Sequence, residues 1–438
     1  MTTTNIKTVI IALMVSSAGA QDIVPPLALS FEEAIRMAGE KPASVVMAHE
    51  RVQQAVARLA QAHSSLLPQV SASASEERRT VNLAAEGITI PIPGFSTEVG
   101  PFNTFDARLK LTQAIFDAET LQSLKFARAG QDLAFEQKHK AQQDTMALVA
   151  TLYVEAKRAR DAIALGETLE TRDKKELTLA ASQVKLGTGS QTDADEAVAH
   201  LAESQRYLTA AQSQAEERRL DLASALDLPV DQAIVFKDSP TLAPEAAMNP
   251  LTSEELESHP DVAVARQTLV QREAQAGVIK AGYAPKVSAE ADYGASGNLP
   301  SNSIGTYNYG GQVSMPIFEG GDRQRRVDEA QHQVQESQTQ LEDTRIQTQA
   351  KARSAAESVK SSWAAVQSKK TALEVADKEL DLARQKLRLG VGTDLEWIEQ
   401  EARDAQARDD WEEATATYQM ARVTLAQALG KMESLVTP

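Results

Sequence analysis

Histidine, cysteine and converging carboxylates are the side chains from which catalytic and metal centres are built, and here they form no such constellation. The six histidines, His49, His63, His139, His200, His259 and His332, are scattered along helical patterns without the paired spacing of a metal site, and they read as solvated or polar-face residues. Cysteine is absent, which removes disulfides, thiolate metal sites, cysteine nucleophiles and an N-terminal lipid-modified cysteine. Gly310-Gly311 and Gly320-Gly321 lack the lysine and the strand-to-helix context of a phosphate-binding loop. The chain therefore reads as no enzyme, with no catalytic, cofactor or metal site. What does recur is a glycine turn. Leu186-Gly-Thr-Gly-Ser190 returns as Leu389-Gly-Val-Gly-Thr393, so Gly187 and Gly390 suit a left-handed helix cap and Gly189 and Gly392 permit a reversal. Ser190 with Asp193, and Thr393 with Glu396, have the spacing of capping boxes. Asp394 has no capping duty in this scheme, which leaves its carboxylate available for another role.

These turns belong to a duplicated frame. Leu111-Thr-Gln-Ala-Ile-Phe-Asp117 returns as Val313-Ser-Met-Pro-Ile-Phe-Glu319, about 202 residues later. A repeat of that length is too long for a solenoid unit and implies two equivalent halves. Each half reads helix, two alternating strands, very long helix, glycine turn, helix. The expected organisation is an export signal over 1–20, a first repeat over 21–229, a linker over 230–250, a second repeat over 251–430 and a tail over 431–438. Lys7, the apolar run from Val9 to Val15, and Ala18-Gly19-Ala20 before Gln21 supply the parts of the signal.

Composition narrows the class. Aromatics are 4% of 438 residues and alanine dominates the apolar count, which suits closely packed helices rather than a wide core. A formal charge of −16 without a basic cluster argues against a nucleic-acid partner. No later stretch is long and apolar enough to be a membrane-spanning helix. A helical pattern opens at Ser30-Phe31-Glu32-Glu33 and runs to Leu67, where Pro68 stops it.

Past each proline the period drops to two. Phe105, Ala107, Leu109 and Leu111 alternate with Asp106, Arg108 and Lys110; Val287, Ala289, Ala291 and Tyr293 with Ser288, Glu290 and Asp292; Tyr307, Tyr309, Val313 and Met315 with Asn308, Gln312 and Ser314. Runs of about nine to eleven residues match a tilted transmembrane strand. Four strands cannot close a barrel, which takes at least about eight, so several chains must contribute. The set Phe105, Leu109, Leu111, Tyr307, Tyr309, Val313 and Met315 is assigned to the lipid face, with Tyr293, Tyr307 and Tyr309 suited to an interface. The segment from Thr80 to Asn103 reads as an outer loop about fifteen residues longer than its counterpart at 297–306.

The long helical patterns, Asp117 to Leu186 and Gly320 to Leu389, would each reach about 105 Å. Val359, Val366, Leu373, Leu380 and Leu387 form a heptad seam, and Ala372, Val375, Leu382 and Leu389 form a second one beside it. Met146, Val149, Tyr153, Ala156 and Ile163 do likewise beside Leu148, Leu152, Ala159, Ala162 and Leu169. Two seams give each helix two neighbours, as in a tube, with Trp363, Trp397 and Trp411 as packing residues. The fold expected is mainly α, a tandem-duplicated α-helical barrel of long coiled-coil helices carrying four strands per chain of a membrane β-barrel.

These residues resemble the TolC-like outer-membrane efflux channels of tripartite export systems. The resemblance spans nearly the whole chain after the signal. It rests on the duplication, on Pro316-Ile317-Phe318-Glu319-Gly320-Gly321 after a strand, on Leu67-Pro68 and Ala284-Pro285 entering strands, and on the paired turns. It implies a homotrimer with a twelve-stranded barrel in outer-membrane lipid, and a helical tunnel that meets a periplasmic adaptor protein and an inner-membrane pump. The implied function is a passive exit duct for tripartite efflux or type I secretion. The resemblance also sets the Gly187, Gly189, Gly390 and Gly392 turns against the adaptor at the periplasmic entrance, with Asp394 first and Asp195 second as pore-facing carboxylates. In the first copy Ala114 and Ala118-Glu119 stand where the motif has Pro and Gly-Gly, which leaves that joint open. The alternative is a periplasmic coiled-coil structural or adaptor protein.

Overall fold

The computed structural model describes residues 25–85, 87–88, 97–237 and 251–436. The expected signal at 1–20 lies outside these residues, as do most of the expected linker and the middle of the loop before Asn103. The elements run β1 (Leu27–Leu29), α1 (Phe31–Ala38), α2 (Ala43–Ser64), β2 (Gln69–Asn82), β3 (Glu98–Phe116), α3 (Ala118–Lys185), α4 (Gln191–Ala225), β4 (Ile234–Phe236), α5 (Ser253–Ser258), α6 (Pro260–Ala281), β5 (Lys286–Gly297), β6 (Ile304–Ser314), α7 (Asp322–Arg388) and α8 (Asp394–Ala428). At 68 and 67 residues, α3 and α7 each span about 100 Å.

The helical pattern expected to run unbroken to Leu67 is two helices. Gly39-Glu40-Lys41-Pro42 interrupts it, because Pro42 has no N–H to donate and biases Lys41 away from helical backbone. α1 keeps its capping box: Glu33 N–H donates to Ser30 Oγ at 3.2 Å and Ser30 N–H to Glu33 Oε2 at 3.0 Å. Two strands exceed the expected nine to eleven residues, β2 at 14 and β3 at 19, whereas β5 and β6 measure 12 and 11. The outer part of β2, Glu76-Glu77-Arg78-Arg79, has no apolar alternation yet pairs with β3, since ladder bonds need only backbone. The loop between β2 and β3 is shorter than expected, because β2 continues to Asn82 and β3 already begins at Glu98. It covers 83–97, fifteen residues against the six at 298–303, an excess of nine rather than fifteen.

β1 pairs in parallel with β4 and clamps the waist of the molecule. There Tyr153 of α3 is fully buried, its hydroxyl donating to the Leu29 carbonyl at 3.0 Å, with Phe31 and Phe236 edge-on to its ring at 5.6 and 5.1 Å. Ile35, Leu222, Leu226, Val423 and Met432 complete this core, drawing together α1, α3, α4 and α8.

The helices form an arc, not a closed bundle. α3 packs against α2 and α4 on one side and against α6 and α8 on the other, and α7 packs on α6 and α8. The shorter helices stack end to end: the end of α4 meets the start of α2, and the end of α8 meets the start of α6. Ala43 N–H donates to the Asp227 carboxylate at the first joint, and His259 lies 3.4 Å from the Gln427 carbonyl at the second. Position in the arc explains the two seams of each long helix. α3 is flanked on both sides within the chain. α7 is a margin: Val359, Val366, Leu373 and Leu380 are buried, while Val375, Leu382 and Leu389 of the second seam are exposed, Leu382 at 53%. The opposite margin also shows apolar residues, Val46, Met47 and Val56 on α2 and Val198 on α4.

Candidate functional site

At one end of the arc lies a four-stranded antiparallel sheet in the order β2-β3-β5-β6, so β2 and β6 each have an open edge. Its register sorts the side chains by row. Ala72, Leu109, Tyr293 and Tyr307 are aligned, as are Val70, Leu111, Ala291 and Tyr309. Between those rows run Ser71, Lys110, Asp292 and Asn308. Because successive residues point to opposite faces, one face is apolar and the other carries hydroxyls and charges. On the polar face Arg108 pairs with Asp106 and, at 2.8 Å, with Asp292, while Lys110 reaches Glu290 at 3.0 Å. On the apolar face Leu109 is 54% exposed and Tyr307 73%. Phe105, Tyr309 and Val313 share this face by their register, whereas Met315 falls one residue past the end of β6, in the connection to α7.

The two strand-to-helix joints differ. In the first copy β3 runs almost directly into α3, and Asp117 caps it by accepting the N–H groups of Glu119 at 3.0 Å and Thr120 at 3.2 Å. Lys286 from β5 fixes this cap, lying 3.7 Å from Asp117 and 2.8 Å from Glu119. A carboxylate thus replaces the glycine pair. In the second copy seven residues, 315–321, intervene, ending in Gly320 and Gly321, both at positive φ.

At the far end lie the glycine turns. Gly187 (φ 71°) and Gly390 (φ 72°) adopt the left-handed conformation that a side chain disfavours. Gly189 and Gly392 are there for closeness instead, since a Cβ on either would lie 2.8 Å from Gln183 Cβ or 3.0 Å from Lys386 Cβ. Ser190 N–H donates to Asp193 at 3.3 Å and Ser190 Oγ accepts from Thr192 at 3.1 Å. Thr393 N–H donates to Glu396 at 3.3 Å and its Oγ1 accepts from Glu396 N–H at 3.2 Å. Asp394 is exposed and makes no hydrogen bond or ion pair among the described residues, whereas Asp195 accepts from the Gln191 amide at 2.9 Å.

Above the turns, contacts between the two repeats carry polar groups that the heptad pattern does not announce. Arg158 of α3 holds Asp409 of α8, its Nη2 donating to Oδ2 at 2.9 Å and its Nη1 lying 2.8 Å from Oδ1 as an ion pair, with the aspartate side chain 10% exposed. Lys175 stands 4.5 Å over the Trp397 ring and 3.8 Å from Glu401. Burial first, and then Asp377 across the α7–α8 contact, push the Asp404 carboxyl above the ordinary range, with Arg408 and Arg384 opposing. Trp363 and Trp411 pack on the core around Tyr418. Histidine needs one correction. Five of the six are exposed or near-surface helical residues, but His259 is buried and caps α6, because Pro260 at the first helical position leaves the preceding side chain to satisfy the next N–H.

Comparison with known proteins follows the same outline. The family model described as outer membrane efflux protein matches residues 34–227 and 251–431. No curated protein matches the sequence. The structure is similar to that of the CmeC outer membrane channel of Campylobacter jejuni, at 18% identity and a TM-score of 0.77, over 91% of this chain and 85% of that one. It is also similar to the outer membrane protein VceC of Vibrio cholerae, at 17% identity and 0.72, over 92% and 96%. The MtrE outer membrane channel of Neisseria gonorrhoeae, in its open state, gives 18% and 0.72, over 92% and 89%.

Proposed function

This chain belongs to the outer membrane efflux protein family, and from that premise we propose that it is the passive exit duct of a tripartite efflux or type I secretion system. It lies in the outer membrane with its helical part in the periplasm. The observation that carries the finer reading is the pair of unfinished margins. The sheet ends in two open strands and the helical arc in two apolar borders, and the chain links them directly, α2 leading into β2 and β6 into α7. Exposed strand edges and apolar heptad seams are unstable in water, and copies of the same chain joined margin to margin remove both at once. Three copies supply twelve strands, enough for a closed barrel.

In that assembly Phe105, Leu109, Leu111, Tyr307, Tyr309 and Val313 face lipid, with Met315 at the boundary, and the Arg108 and Lys110 ladder faces the lumen. The Gly187, Gly189, Gly390 and Gly392 turns meet a periplasmic adaptor, Asp394 and Asp195 line the entrance, and an inner-membrane pump supplies the energy. No residue of the duct performs chemistry. The test is to extract the protein from outer-membrane fractions in detergent, measure its mass and record conductance in planar bilayers. A conducting species three times the chain mass supports the duct. A salt-released, non-conducting monomer or dimer would return the chain to the periplasmic coiled-coil class.

A further inference from the structure

The two end-to-end helix joints of the wall have no covalent link, and they use different chemistry. At the α4–α2 joint a carboxylate does the work: Asp227 accepts the Ala43 N–H, and Pro42 at the N-cap offers no side-chain bond. At the α8–α6 joint the work falls to an imidazole. His259 is 6% exposed, its Nδ1 accepts the Asp261 N–H at 3.2 Å, and its Nε2 faces the Gln427 carbonyl at 3.4 Å. One ring serves both partners only as the neutral tautomer that carries its proton on Nε2. Gly430 closes the joint from the α8 side, where a Cβ would come within 2.5 Å of Pro260.

We propose that His259 is a proton-operated splice, which fastens α8 to α6 when neutral and releases that joint when protonated. A second proton must sit on Nδ1, where the lone pair now accepts from Asp261 N–H. The first free N–H of α6 then loses its acceptor and meets an N–H instead. The new charge also lies at the positive end of the α6 dipole. The charged groups around the ring are Asp261 on α6, Lys140 and Asp144 on α3, and Lys351 on α7, which share with His259 a cavity of about 430 Å³. Asp261 favours the protonated ring but is already held by Lys140, and Gln427 holds Asp144 at 3.3 Å. The cavity gives a displaced imidazole room to rotate.

Burial holds the His259 pKa below its ordinary value, Asp261 and the Gln427 carbonyl oppose this, and Lys140 and Lys351 reinforce it. With the folded value below the unfolded one, the unfolded joint binds more protons. Stability is therefore intact above the ordinary histidine value of about 6.5 and falls progressively as the pH drops through that value to the lower, folded one. At the other joint the acceptor of the helix N–H is the Asp227 carboxylate, with no imidazole in that role. One wall joint in two is acid-sensitive.

Hydrogen exchange of the full-length protein, read by mass spectrometry and corrected for intrinsic rates, tests this from about pH 7.5 to about pH 5.5, the span in which histidine titrates. Peptides covering 251–270 and 420–432 are expected to exchange several-fold faster at the acid end, and those covering 38–50 and 222–230 to stay level. His259→Asn keeps a capping oxygen that does not titrate, so its exchange should be flat. His259→Ala should exchange rapidly throughout. A flat wild type, an equal acid response in His259→Asn, or a parallel rise at both joints would overturn the proposal. If neither variant assembles, the contrast between the two joints in the wild type still decides.

Discussion

Leu109 offers the sharpest test of which face of the sheet meets lipid. It lies in one row with Ala72, Tyr293 and Tyr307, and one residue along β6 from Tyr307 stands Asn308, in the row of Lys110 and Asp292. Leu109→Arg and Asn308→Arg therefore place the same cation at nearly the same depth on opposite faces. A guanidinium on the lipid face costs roughly 2 to 4 kcal/mol near the bilayer midplane. At about 1.4 kcal/mol per tenfold, that lowers the folded-to-unfolded ratio of each chain by about 30- to 700-fold. Asn308→Arg instead sets a cation opposite the Asp292 carboxylate, which has a second acceptor oxygen to offer, and is expected to be near neutral. The assay is the yield of heat-resistant oligomer from outer-membrane fractions, run alongside urea midpoints of the extracted protein. Equal loss in the two variants, or a greater loss for Asn308→Arg, would refute the assignment of faces. Arg108→Leu is a weaker control, because it strands Asp106 and Asp292 and costs stability for that reason.

Other expectations concern the helical part. Gly187→Ala and Gly390→Ala should each destabilise their turn by about 1 to 2 kcal/mol through the left-handed backbone, and Gly189→Ala should do so by steric contact with Gln183; local hydrogen exchange at the turns reads all three. Asp394→Asn should lower cation preference in bilayer recordings with oligomer stability unchanged, since the carboxylate makes no hydrogen bond or ion pair among the described residues, while Glu396→Gln should weaken the cap by up to about 1 kcal/mol and change selectivity less; unaltered selectivity in Asp394→Asn would move attention to Asp195. Arg158→Met should cost about 3 to 5 kcal/mol by leaving the Asp409 charge buried and alone. Adding Asp409→Leu should recover much of that loss in denaturation midpoints, and no recovery would mean the pair is not the source.

How much of this was legible depended on whether the signal was periodic. The duplicated segments and the heptads placed the long helices within two residues of α3 and α7, because an uninterrupted run with a glycine stop permits few other boundaries. Position in the arc was not legible: the second seams of the two copies look alike in sequence, yet the first is half-buried or buried within the chain from Leu152 to Leu169, with Leu148 exposed, whereas Val375, Leu382 and Leu389 of the second are all exposed. β2 was expected as the partner strand between Pro68 and Thr80, but its Ser-Ala alternation and charged outer half give little contrast between faces, so no residue of it was assigned to one. Arg158, Asp409 and Asp404 read as ordinary charges on helices rich in charge, since their burial arises from α3–α8 and α7–α8 contacts between distant residues. His259 did leave a trace, because His-Pro-Asp is a cap followed by proline at the first helical position, but histidine is not among the usual capping residues.

The register of the sheet also dictates an order of construction. β2 and β3 are joined by a short connection, as are β5 and β6, so either hairpin can close as soon as it is made. The bond between the hairpins is of another kind, for Arg108 and Asp292 are 184 residues apart and four α-helices, α3 to α6, are threaded between them. Such a distant pairing is slow to find and comes late. Until the second hairpin arrives, and afterwards until a neighbour does, the first waits with an apolar surface and unsatisfied edges in an aqueous compartment. Its maturation should therefore depend on holding chaperones more steeply than the length of the chain would suggest, and slowing synthesis of the second half should lengthen that dependence.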